Sequence, residues 1–143
     1  MNRREGRICA FELLFETDFR KEDASWSEIY ESAMRNRGLG NHAFVKTLYQ
    51  TAVENQAEID KKIEESAENW RLSRMSSVTR AILRLCVGEL LYSDVPPKVA
   101  INEAVEISKL YNDEKSTSFV NGILNKIAIK QGTLPAQGGN GQA

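Results

Sequence analysis

With 143 residues, 41% of them hydrophobic and 27% charged, the chain suits one ordinary globular domain, which excludes wholesale disorder and fibrous designs. Its formal net charge of −1 excludes a global basic field, so any polyanion must be met by a local patch. Cys9, Cys86 and the single histidine, His42, offer no disulfide framework and no zinc-ligand spacing, so buried thiols, no metal and no cofactor are expected.

Apolar residues recur at three- and four-residue spacing almost throughout, and the three prolines are confined to Pro96, Pro97 and Pro135, so the predicted fold is all-α. A first helix is expected over residues 3–19, with Ile8, Phe11, Leu14, Phe15 and Phe19 along one stripe. Ser25-Trp26-Ser27-Glu28 reads as a capping box that opens a second helix, ending near Asn36 before Gly38 and Gly40. From Asn41 a long helical stretch runs to Trp70; Asn55 is one candidate for a break, whose place the pattern does not fix. Residues 77–92 place apolar side chains nearly all round the helix axis, which marks a central element buried on most sides. Pro97 suits the first position of the next helix, expected to reach Tyr111. A polar turn over 112–115 then leads to a last helix with Ser116 as its expected N-cap and its end near Gln131. Residues 132–143 carry little to bury and read as a disordered tail beyond a single domain, 1–131. Seven helices, one of them buried on most faces, imply two small bundles packed around it.

No apolar run approaches membrane-spanning length, and Met1-Asn2-Arg3-Arg4-Glu5 opens no secretory signal, so a cytoplasmic address is expected. Arg3, Arg4 and Arg7 fall within an arc of roughly 100° on a helix, at a terminus whose dipole disfavours cations. A placement with a local cost points to phosphate contact; a frayed, solvated helix start is the plainer reading. Three such contacts give a salt slope of only about −2 with single-stranded RNA, a feeble grip. Selective binding needs aromatics to stack unpaired bases, and Phe119, beside Lys115, Ser116 and Asn121, is the candidate, although helical spacing to Ile123 and Ile127 also suits a core residue. Glu89, Asn102 and Asn121 are expected to hold fixed hydrogen bonds in or at the edge of the core, and Gly122 to admit a close neighbouring helix. No nucleophile with its base, paired carboxylates or phosphate-cradling glycine loop stands out, so the chain is not read as an enzyme. Arg80 and Arg84, which a helical mutase-type enzyme could use to hold a dianion, are expected instead at the surface or in ion pairs.

Arg80-Ala81-Ile82-Leu83-Arg84-Leu85, Glu89-Leu90, VPPKVAINEAVEISKLY from Val95 and Phe119-Val120-Asn121-Gly122-Ile123-Leu124 resemble the NusB family of bacterial transcription antitermination factors. The spaced N-terminal arginines, Ile59-Asp60 and Trp70 fit the same pattern, so the likeness covers nearly all but the tail. It implies two helical bundles, binding of single-stranded boxA RNA, a heterodimer with NusE, and assembly of an antitermination complex on RNA polymerase at ribosomal RNA operons. Some members self-associate, so a free-state homodimer is a second implied state. Carried over by position, the RNA surface comprises Arg3, Arg4, Arg7, Lys115, Ser116, Phe119 and Asn121. Such a surface requires the first turn of the chain to lie beside the start of its last helix. Glu5 dilutes the basic N-terminus, and Thr79 stands where relatives often carry an acidic residue facing NusE.

Overall fold

A computed structural model describes residues 1–20, 23–38, 42–68 and 70–135. Asn2 and Glu5 open the first helix, α1 (Arg3–Arg20), by exchanging hydrogen bonds: each side chain accepts from the other's backbone N–H at 2.8 Å. This is a capping box, and it gives Glu5 a structural use that offsets three arginines at a positive helix end. The expected Ser25–Glu28 box opens α2 (Trp26–Arg37), which closes on Gly38 in the left-handed region, at φ 67°. Gly40 lies outside the described residues.

The long central stretch divides at the candidate Asn55, between α3 (Ala43–Glu54) and α4 (Gln56–Ser66). The Asn55 side chain donates to the Thr51 carbonyl at 2.8 Å, competing with the helix ladder and ending it. Helix α4 stops at Ser66 rather than continuing to Trp70: Glu68 adopts a left-handed φ of 51°, and the Glu64 carboxylate caps the Leu72 amide at 2.8 Å. Trp70 therefore sits in a connection, followed by a 3-10 turn at Leu72–Arg74.

The next two helices, α5 (Ser77–Tyr92) and α6 (Pro97–Tyr111), have the expected bounds. Helix α7 (Glu114–Lys130) begins earlier than expected, because Asp113 and not Ser116 is its N-cap. The Asp113 carboxylate accepts the Ser116 N–H at 2.8 Å, a charged acceptor suited to the positive helix end. Past α7, Gly132 turns at φ 77°, and the Thr133 and Leu134 amides both donate to the Ala128 carbonyl. Leu134 packs against the core, so the first residues of the expected tail continue the fold; 136–143 lie outside the described residues.

Every residue from Ala81 to Leu90 is buried, as a central helix requires. Helices α1 and α3 pack on one side of α5 with α2 outside them, while α4, α6 and α7 pack on the other. The described residues thus form seven α-helices in two groups that share α5. Cys9 and Cys86 are free and buried, and burial pushes both thiols up, away from the reactive thiolate. Close approach does not occur at Gly122, which is exposed with nothing within 4 Å of where its Cβ would stand. It occurs at Gly6, where a Cβ would lie 2.7 Å from the Phe44 ring.

Candidate nucleic-acid interface

Arg3, Arg4 and Arg7 emerge from the first two turns of α1 into three different environments. The Arg7 guanidinium donates through Nε and Nη2 to the two oxygens of Glu89 on α5, at 2.8 and 2.9 Å. Both residues are buried, at 6% and 4% exposure. Arg7 therefore supports the corner from within and does not present a free guanidinium, contrary to its expected place among the phosphate contacts. Burial of α1 against α5 explains why: Glu89 would otherwise be an unpaired charge in the core. Arg4 makes the same bidentate contact to Glu103 of α6, at 3.0 and 2.9 Å, but at the surface, with half of its side chain exposed. Hydrogen bonds from Arg4 hold the Glu103 carboxyl below the ordinary range. Arg3 lies over Phe44 at the start of α3, its guanidinium carbon 4.1 Å from the ring centre.

The start of α7 builds a second feature. Lys115 is exposed, Ser116 half-buried, and Phe119 sits between the core and Trp70, with the ring centroids 5.9 Å apart and edge to face. Trp70 is 53% exposed, so the pair presents aromatic surface to solvent. With Arg74 and Thr79 these residues line a hollow of about 230 Å³. Thr79 is buried at its floor and accepts a hydrogen bond from Asn112, so it does not face outward where an acidic residue was expected to meet a partner. Trp70 and Arg74 were missed by sequence reasoning, since a tryptophan four residues past Ser66 reads as the end of a helical stripe.

These features do not adjoin. Helix α1 runs antiparallel to α5: Arg7 meets Glu89 near the end of α5, while Asp18 meets Arg80 near its start, at 2.8 Å. The hollow contains Ser76 and Thr79, so the expected halves of the surface are separated by about ten residues of α5, roughly 15 Å along its axis. A groove of about 1130 Å³ between α6 and α7 spans the interval. Glu103, the partner of Arg4, lines it, as do Thr117 and Ser118 from the start of α7. Asn121 lies in this groove and accepts from Asn125 at 3.1 Å; it and Asn102, another lining residue, are exposed rather than fixed in the core.

Arg80 and Arg84 are ion-paired, as expected. Arg80 binds Asp18, and Arg84 binds Asp60 at 2.9 Å and Asp18 at 3.2 Å. Carboxylates already occupy these guanidiniums, so the enzyme reading loses the groups it would use to hold a dianion.

The family model described as NusB family matches residues 4–129. The chain belongs to the NusB family. Among curated relatives, the transcription antitermination protein NusB of Clostridium novyi (strain NT) is 37% identical over 132 residues, covering 89% of this chain and 98% of that protein. The NusB of Listeria monocytogenes serotype 4a (strain HCC23) is 39% identical over 129 residues, covering 90% and 97%. Among solved structures, T. maritima NusB superimposes with a TM-score of 0.80 at 38% identity, covering 90% of this chain and 91% of that one. A NusB crystallised with NusE and double-stranded RNA gives 0.76 at 35% identity, covering 87% and 94%. These likenesses bear out the all-helical NusB fold expected of this NusB-family chain. No helix among the described residues is long and apolar enough to cross a membrane.

Proposed function

We propose that this chain is a transcription antitermination factor that binds boxA single-stranded RNA together with NusE and helps assemble the antitermination complex on RNA polymerase at ribosomal RNA operons. It acts as an adaptor in the cytoplasm, through one domain that packs as far as Leu134. The observation that carries the reading is a groove of mixed lining with an arginine corner at one end and a basic, aromatic hollow at the other, on a NusB-family fold. Unpaired bases stack on aromatic faces, and phosphates take arginine donors, so both ends suit a single strand. The contacting residues are Arg3, Arg4, Lys115, Ser116, Phe119 and Asn121, with Arg7 beneath them.

Charge arithmetic explains the need for a partner. Arg3, Arg4, Arg74 and Lys115 together give a salt slope of only about −3 with single-stranded RNA. A NusE subunit that extends the surface raises affinity without adding charge to this chain, and the NusB of similar structure found with NusE and RNA supports that arrangement.

The test is titration of a labelled boxA RNA and a scrambled RNA of equal length, with and without NusE. The boxA strand is expected to bind at least about tenfold tighter than the scrambled one when NusE is present, a difference of about 1.4 kcal/mol. Equal affinity for the two strands would overturn the reading, and binding of neither strand would favour a purely protein-protein adaptor.

A further inference from the structure

The three arginines of the corner are chemically unequal. Arg4 and Arg7 each spend the edge of the guanidinium on a carboxylate, through Nε and Nη2 in both cases. Arg3 makes no ion pair among the described residues, and its guanidinium carbon lies over the Phe44 ring, 4.1 Å from the ring centre. A guanidinium that stacks flat on a ring keeps its in-plane N–H donors available. The edge is what a phosphate oxygen or a base acceptor requires.

Phe44 is itself held firmly. It follows His42 at the start of α3, packs against the core, and lies so close to Gly6 that a Cβ there would stand 2.7 Å from its Cδ2 and 2.9 Å from its Cε2. The Arg7 guanidinium, fixed by Glu89, flanks the same ring at 5.5 Å from its centre. One ring therefore touches the backbone of α1 and both arginines one turn apart on it. Gly6 is the residue of α1 that lets the ring in.

We propose that Phe44 is a positioning residue for nucleic-acid binding: it holds Arg3 in a single orientation with the donor edge free, so that Arg3 is the arginine of the corner that meets an anion without first competing with a carboxylate. An arginine loose in water loses rotamer freedom when it meets a ligand, and a side chain already ordered by a ring loses less. The inference rests on the RNA-binding reading above and adds to it a division of labour. Arg3 contacts, Phe44 orients, and Arg7 anchors.

The experiment is a binding cycle on the full chain with NusE present, using labelled boxA RNA, and NusE binding without RNA serves as the check on folding. Phe44→Leu keeps an apolar residue against Gly6 but removes the aromatic face. It is expected to weaken RNA binding about threefold, in line with an exposed cation–π contact, while NusE binding is unchanged. Phe44→Trp restores the face and is expected to bind RNA within about twofold of the native chain. Arg3→Ala is expected to weaken binding by more than Phe44→Leu. The combined Arg3→Ala, Phe44→Leu chain should then be no weaker than Arg3→Ala alone, because the ring acts only through that arginine. A Phe44→Leu loss that adds in full to the Arg3→Ala loss, or no loss at all in Phe44→Leu, overturns the role given to Phe44. Native affinity in Arg3→Ala overturns the corner assignment and this inference together. Loss of boxA preference in the native chain would be failure of the wider reading, a separate outcome.

Discussion

Arg7 and Glu89 show how a residue can be chosen for one reason and used for another. An N-terminal arginine near two others is an obvious phosphate ligand on paper, yet this one closes a bidentate pair in the core. Arg7→Ala leaves the Glu89 carboxylate buried without its partner, and a loss of roughly 3–5 kcal/mol is expected in urea unfolding. Removing both charges together, as Arg7→Met with Glu89→Leu, should recover most of that loss; an Arg7→Ala chain as stable as the native one would contradict the pairing. Glu89 was legible as a polar residue in an apolar helix that needs a fixed hydrogen bond. Its partner was not, since it lies 82 positions away and nothing local encodes such a meeting. The contact of Arg3 with the Phe44 ring was hidden for the same reason.

At the scale of the element, capping chemistry decides where helices start. The pattern of serine followed by glutamate three residues later located the start of α2, and the all-round apolar pattern and Pro97 located α5 and α6. Asn2 and Glu5 form the same kind of box, but among arginines the glutamate reads as a dilution of charge. At α7 two candidates compete: Asp113 and Ser116 both have capping side chains, and the carboxylate prevails. Asp113→Ala is therefore expected to lower stability by about 1 kcal/mol, whereas Ser116→Ala should change thermal unfolding little. The reverse ranking would put the cap back at Ser116. Early termination of α4 was not legible, because it depends on a left-handed Glu68 and on a Glu64 carboxylate reaching Leu72.

The whole molecule is tied across its two groups of helices by a charged clasp. Asp18 of α1 and Asp60 of α4 both bind arginines of α5, and Arg84 touches each of them. Burial works against the Asp18 carboxylate, but hydrogen bonds from Arg80 and Arg84 together outweigh it and hold the group below the usual range. A depressed carboxylate stabilises the fold above its unfolded value of about 3.9, and that contribution is lost as pH falls through the lower folded value. Stability measured in urea should therefore drop below about pH 4, and Asp18→Asn should flatten that part of the curve; an unchanged slope would remove Asp18 from the clasp. The existence of two groups around α5 was legible from periodicity. The distance between the two ends of the candidate surface was not, because it follows from α1 running antiparallel to α5, which no local pattern records.

That separation makes strand length a determinant of grip. On the proposed surface, an oligonucleotide too short to reach from Arg3 to Phe119 is expected to meet two independent weak holds and to gain nothing from the second. One long enough to lie along the α6–α7 groove turns its second contact into an intramolecular event, governed by a local concentration far above that in bulk solution. On that surface a threshold length, rather than any added charge, is expected to separate passing encounters from durable capture.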